Sequence, residues 1–316
     1  MTDVEVQVLT AREVPLGGIR ALTVRRTLPH KDRSFVGAWC FADHYGPSPV
    51  GADGDGGMDV PPHPHTGLQT VSWLFEGEIE HRDTGGVHEM VRPGEVNLMT
   101  AGRGIAHSEV STPDTRLLHG VQLWVALPEA ERDRAREFAH HAADPVALSG
   151  GAAGTARVFI GALPGVGSSP VETFTPLLGA QLDLAPGAQV DLAVDPTSEH
   201  GVLLDTGAIT VAGAALGTGD LACIDPGVAS IPLAAGAQGA RLVLLGGPPF
   251  TEEIVMWWNF VGRSHEDIVA YREAWQAGDE RFGSVPGYAG AVDRIPAPAL
   301  PGVRLRARGR RGRIGG

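Results

Sequence analysis

Apolar and polar residues trade places at period two from Leu68 to Ile79, in LQTVSWLFEGEI. That alternation places successive side chains on opposite faces of a strand with one face buried. Similar short runs recur along residues 1–127: VEVQVL, IRALTVRRTLP, FVGAWCFADHYG, VHEMVRPGEVNLMT and LLHGVQLWVALP. Turn pairs separate them, among them Asp53-Gly54, Gly85-Gly86 and Pro93-Gly94. This rhythm predicts an all-β sandwich or barrel.

The pattern breaks at PEAERDRAREFAHHA, residues 128–142, which is charged, free of glycine and opened by Pro128. It predicts a solvated helix that closes the first domain. The β rhythm then returns over roughly 155–250, with turns at Pro186-Gly187 and Pro226-Gly227. Two domains of one architecture are therefore expected, residues 1–150 and 151–316. Near the end, Ser264-His-Glu-Asp267 forms a capping signal for a helix that runs to about Gly278. Six arginines fall within residues 303–316. A disordered, solvated tail is expected there, with an anion or nucleic-acid contact as the sharper alternative.

The chain has 316 residues, 44 of them glycine and 24 proline, which suits short strands and tight turns. A formal net charge of -12 argues against direct nucleic-acid binding by the body of the protein. Cys40 and Cys223, the two cysteines, lie far apart, so neither a disulfide framework nor a cysteine metal site is expected. No signal-like start and no apolar run long enough for a membrane span is visible, so a cytoplasmic protein is expected.

Candidate chemistry sits in PPHPHTGLQT and TAGRGIAHSEV. His63 and His65 are spaced i, i+2, and so are His107 and Glu109. On strands, each pair points to one face. If those strands fold against each other in a small barrel, three imidazoles and one carboxylate surround a single point. Such a set fills four positions of a six-coordinate ion and leaves two open. Nitrogen and oxygen donors suit Fe(II), Mn, Co, Ni or Cu(II), whereas a closed zinc site favours cysteine.

Four blocks carry a family resemblance: RTLPHKDRSFVGAWCFADHYGP, MDVPPHPHTGLQTVSWLFEGEIEHRDTGG, RPGEVNLMTAGRGIAHSE and LHGVQLWVALP. Together they resemble the pirin family, two-domain members of the cupin superfamily. The resemblance is close over roughly residues 25–127 and looser beyond. It implies a bicupin of two jelly-roll β-barrels with short helices at the domain ends, and a terminal helix packed across the domains. It also implies one divalent metal, usually iron, on His63, His65, His107 and Glu109. The second domain has no H-x-H pair, only a lone His200 and scattered acids, so it is expected to be metal-free. Gln69 stands where many cupins have a glutamate.

The family's functions divide. Some members resemble quercetin 2,3-dioxygenases and open a flavonol with O2, which would make Glu109 both ligand and base. Others act as metal-loaded regulators of a partner protein. A monomer is expected, with a small aromatic substrate and O2 as its partners in the first case.

Other residues are weighed on the residue pattern alone. His119 is balanced between supporting the site and bonding backbone, and His81 is expected to be a structural histidine. His44 and Asp43 are expected to pack as a turn, with the edge of the pocket as the alternative. Arg103 either clamps an anion or packs against its own domain. Trp73, Leu74, Phe75, Met99 and Trp124 are expected in the core, and Trp257 and Trp258 at the domain junction.

Overall fold

The computed structural model describes residues 4–16, 22–51, 57–148 and 152–310. The N-terminal half builds two sheets. A seven-stranded sheet runs in the order Glu137–Ala142, Glu95–Thr100, Leu68–Glu76, Leu117–Ala126, Trp39–Pro49, Thr23–Leu28, Arg12–Pro15. A four-stranded sheet holds Asp59–His65, Ile105–Ser111, Ile79–Asp83 and His88–Val91. The alternating stretch from Leu68 thus becomes the strand Leu68–Glu76 and the start of Ile79–Asp83.

The C-terminal half forms a ten-stranded sheet around the long strands Glu199–Val211 and Ser230–Gly247. Its edge strand comes from the other end of the chain: Gln7–Leu9 pairs antiparallel with Leu221–Ile224. The architecture is the bicupin fold, mostly β with jelly-roll halves.

The halves share one core. Buried Trp39, Val71 and Trp73 pack with Phe159, Leu203 and Val243. Trp73 stacks on Phe159 at 4.6 Å, and its Nε1 donates to Gln181 Oε1 at 2.8 Å. Trp39 Nε1 lies 3.2 Å from both the Leu178 and the Gly246 carbonyl oxygens. Indole donors buried in this way need acceptors, and both find them across the boundary.

The helix His265–Ala277 forms where the capping signal predicts it. Ser264 accepts from the Asp267 amide, Asp267 reaches back to the N-cap amide, and Gly278 closes the helix in the left-handed region at φ 72. Its buried Ile268, Tyr271 and Trp275 pack on Ala106, Val255 and Phe260, so the helix rests on the first half's four-stranded sheet.

Two expectations fail. The helix predicted over 128–142 is instead a turn followed by the strand Glu137–Ala142, which pairs with Glu95–Thr100. Its i, i+3 charge pairs, Arg134 with Glu131 and Glu137, form in the turned segment as readily as in a helix. The open edge of Glu95–Thr100 supplies backbone partners that local propensity does not reveal. The arginine tail is also ordered over 304–310. Arg304 makes a bidentate pair with Glu266, Arg308 exchanges two backbone hydrogen bonds with Ile254, and Arg310 meets Glu199 and Asp225. Glu199 is fully buried and also accepts from Arg33 at 2.6 Å. A buried carboxylate needs such cations, and that need docks the tail. The remaining tail, 311–316, lies outside the described residues.

Candidate metal centre

Asp59–His65 and Ile105–Ser111 pair antiparallel, with His63 directly opposite His107. That register brings the ring atoms of His63, His65 and His107 within 4.8 Å of one another. All three are buried, and desolvation disfavours their charged forms. It pushes His63 down to about 4 and holds His65 and His107 well below the ordinary histidine value.

Hydrogen bonds fix which nitrogen of each ring is free. His63 Nδ1 donates to the Pro61 carbonyl at 2.9 Å, and His65 Nδ1 to the Asn259 carbonyl at 3.0 Å. His107 Nδ1 faces His81 Nδ1 at 3.4 Å, and His81 Nε2 faces Asp83 Oδ2 at 3.2 Å. The Asp83 carboxylate accepts from His81 Nε2–H, so His81 Nδ1 is an acceptor and His107 Nδ1 the donor. The Nε2 of His63, His65 and His107 is then in each case a bare lone pair.

His65 Nε2 and His107 Nε2 lie 3.1 Å apart in this state. Two buried lone pairs at that distance repel unless a cation lies between them. Ligands at ~2.1 Å from an ion would subtend roughly a right angle at this spacing. The donor set therefore fits a divalent transition metal.

Glu109 follows on the same strand, past an irregularity in the pairing with Asp59–His65. It is buried, accepts from Ser72 Oγ at 3.2 Å, and burial raises its carboxyl pKa. Its oxygens lie outside the cluster of three imidazoles. Trp124 meets His65 edge-on at 5.1 Å and stacks on Phe41 at 4.1 Å, giving the centre an aromatic wall. Gln69 is buried and donates to Thr100 Oγ1.

His81 belongs to the site, as the orienting partner of His107 rather than a histidine bonded to backbone. Its alternation with Asp83 on Ile79–Asp83 was the available signal. Asn259 contributes only a backbone carbonyl, and no side-chain motif marks it. It sits in the two-residue turn between Val255–Trp257 and Phe260–Gly262. Trp257 and Trp258 in this hairpin pack against the helix-bearing cluster. Arg103 is exposed, and its carbonyl accepts from Arg281. Trp73, Leu74, Met99 and Trp124 are core residues, and Phe75 packs partly buried against the core.

His44, His119 and Asp205 form a second buried cluster. His44 lies in the strand Trp39–Pro49 rather than in a turn. Each Nε2 approaches Asp205 Oδ1 at 2.6 Å. Arg25 donates to His44 Nδ1 at 2.9 Å, and Arg241 reaches Asp205 at 2.5 Å and His119 Nδ1 at 3.3 Å. The guanidiniums make each Nδ1 an acceptor, so each Nε2 carries the proton; His44 Nε2 donates to Asp205 Oδ1, whereas His119 Nε2 lies close to that oxygen without hydrogen-bond geometry. The nitrogens a metal would need are protonated, so this is an ion and hydrogen-bond latch between the two halves.

Residues 21–125 match the family model "Pirin", and residues 179–283 match "Pirin C-terminal cupin domain". A Pseudomonas aeruginosa protein named "Putative quercetin 2,3-dioxygenase" is 44% identical over 295 residues, which is 93% of this chain and 90% of its own. A "Pirin-like protein" of Caulobacter vibrioides is 36% identical over 278 residues, 86% of this chain and 93% of its own. The solved quercetin 2,3-dioxygenase of Acinetobacter baumannii superposes with a TM-score of 0.88 at 37% identity, covering 96% of this chain and 97% of that one. A bacterial pirin of Escherichia coli, solved in complex with nickel(II), shares the fold at 21% identity, with a TM-score of 0.59 over 78% of this chain and all of that one. No helix among the described residues is long and apolar enough to cross a membrane. Two matched domains, a full-length relative and the histidine centre agree: this chain belongs to the pirin family.

Proposed function

We propose that the chain is a metal-dependent dioxygenase of the quercetin 2,3-dioxygenase type, which opens the central ring of a flavonol-like aromatic with O2. One divalent transition metal, Fe(II) in the first instance and Mn, Co, Ni or Cu(II) as alternatives, would be held by His63, His65, His107 and Glu109. The single observation that carries this reading is the pair of opposed lone pairs on His65 and His107 at 3.1 Å. The named activity of the Pseudomonas and Acinetobacter relatives supports the substrate class.

When bound, the metal would supply a Lewis-acidic, redox-active centre that lowers the barrier to reaction of a phenolate with O2. The protein's own residues have separate tasks. Trp124, backed by Phe41 and edge-on to His65, offers its apolar side to an aromatic ring. Glu109 accepts the substrate's hydroxyl proton. Ser72 orients that carboxylate through its hydroxyl. The burial of the three histidines and Glu109 keeps water from the deprotonated substrate.

The test begins with metal analysis of the purified chain, where one metal per chain is expected and none in His63→Ala or His107→Ala. Oxygen uptake with quercetin and a catechol panel, normalised to bound metal, follows. Glu109→Gln keeps the shape and an oxygen donor but loses charge and basicity, so turnover per metal should fall by about 10²-fold or more. Wild-type turnover in that variant would remove Glu109 as the base. Metal without any oxygen uptake would overturn the enzyme reading in favour of a metal-loaded regulator.

A further inference from the structure

Gln122 lies on the same face of Leu117–Ala126 as Trp124, the aromatic wall of the histidine centre. The opposite face, Val121, Leu123 and Val125, is sealed in the core that the two halves share. Phe41, Trp124, His63 and Glu109 each keep 6% exposure, against 0–1% for those three core residues. This residual exposure, with that of the half-buried Gln122, marks an opening between the two sheets of the first half.

The side-chain amide of Gln122 is two hydrogen bonds from the Glu109 carboxylate. Ser72 Oγ stands between them, 2.9 Å from Gln122 Oε1 and 3.2 Å from Glu109 Oε1. A hydroxyl has one proton, and a carboxylate is a stronger acceptor than an amide oxygen, so that proton goes to Glu109. The amide carries two N–H donors, and Ser72, its one side-chain partner among the described residues, can accept only one of them. In either orientation of the amide an N–H is left over, and the nitrogen is accessible rather than sealed. Asp43, opposite Gln122 on the next strand, does not take it, because its oxygens accept from Arg26 at 2.6 and 2.7 Å. Arg26 in turn lies over the Phe41 ring at 4.3 Å. The groups left to meet a ligand are therefore an N–H donor and a carboxylate, one hydroxyl apart. An aromatic hydroxyl with a carbonyl on the adjacent carbon is their complement: the hydroxyl gives its proton and the carbonyl accepts one.

We propose that Gln122 is a specificity-determining residue of this site: its amide N–H donates to the carbonyl oxygen beside the hydroxyl that Glu109 deprotonates. The assignment rests on the dioxygenase reading of the centre and narrows its substrates to aromatics with a neighbouring hydroxyl and carbonyl, in preference to simple phenols.

The test is anaerobic isothermal titration of the metal-loaded chain with 3-hydroxyflavone and with 2-naphthol, which has no carbonyl. Gln122→Met removes the donor at nearly constant shape. Gln122→Asn draws it back by one methylene and stays polar, should the methionine variant fail to fold. In either variant the affinity for 3-hydroxyflavone should fall about tenfold, the scale of one lost hydrogen bond, while that for 2-naphthol holds. A structural role, exerted through Ser72 and Glu109, would weaken both probes alike and overturn the proposal. Unchanged affinity for 3-hydroxyflavone would overturn it as well. No binding of 3-hydroxyflavone to the wild type would overturn it together with the dioxygenase reading. The expected split without oxygen uptake would uphold the role of Gln122 and remove the dioxygenase reading alone.

Discussion

The Nδ1 of His65 donates to the backbone carbonyl of Asn259, 194 positions further along the chain. The carbonyl is aimed by a two-residue turn in which Trp258 holds φ at 53, a left-handed conformation that side chains disfavour. Thr66 and Val261 stitch the hairpin beside the site through the Val261 amide and the Thr66 hydroxyl.

Trp258 therefore separates backbone from side-chain effects. Trp258→Gly accepts the positive φ and loses only the ring, whereas a β-branched valine resists it. Chelator competition should show near-normal metal affinity for Trp258→Gly and a loss of about tenfold for Trp258→Val, the scale seen when a ligand's orienting partner is disturbed. Equal losses in both would mean that the indole, not the turn, supports the centre.

Asp83 and His81 orient the third imidazole. His81→Ala or Asp83→Asn should weaken metal binding about 10–100-fold while leaving the three ligands in place. Isothermal titration with nickel(II) on both variants measures this. Unchanged affinity would show that the 3.4 Å contact between the two Nδ1 atoms does no orienting.

Asp205 bridges the halves from the C-terminal sheet to two histidines of the N-terminal one. Removing one partner of a buried charged cluster leaves the other uncompensated, so Asp205→Ala should lower stability by about 3–5 kcal/mol in urea. Metal stoichiometry should not change, because the protonated Nε2 atoms of His44 and His119 are not ligands. A drop in bound metal would reassign the latch as a second metal site.

Burial pushes His200 down to about 4 from its ordinary 6.5. Below pH 6.5 the unfolded chain takes up a proton there that the folded chain refuses, so this residue's share of stability falls steadily from pH 6.5 to about 4. Asp205 is held below its ordinary 3.8, so its share persists throughout that window. Denaturation of the metal-stripped protein should show wild type losing stability relative to His200→Phe across this range. A constant difference between the two would mean that His200 is protonated in the folded state as freely as in the unfolded one.

Local pattern made much of this molecule legible. Period-two alternation marked Leu68–Glu76, the capping residues marked the helix from His265, and paired i, i+2 spacing picked out His63, His65 and His107. What escaped depends on partners remote in sequence. Glu137–Ala142 is a strand because Glu95–Thr100 needs a neighbour, and charge content alone reads as helix. Arg310 is ordered by Glu199, 111 positions away. His44 and His119 look unremarkable until Asp205 arrives from the other half. A backbone carbonyl such as that of Asn259 has no sequence signature at all.

The crossed termini set an order of events on the ribosome. The strand Gln7–Leu9 is made first, yet its partner Leu221–Ile224 is made near the end, and the Ala11 amide waits for Asp220, 209 positions later. The three clustered histidines emerge early as well, long before Asn259 and the helix that packs on Ala106. During synthesis the nascent first half thus carries an unpaired edge strand and a histidine cluster that lacks one of its fixing acceptors. The orientation of His65 is therefore completed only once Asn259 has been made.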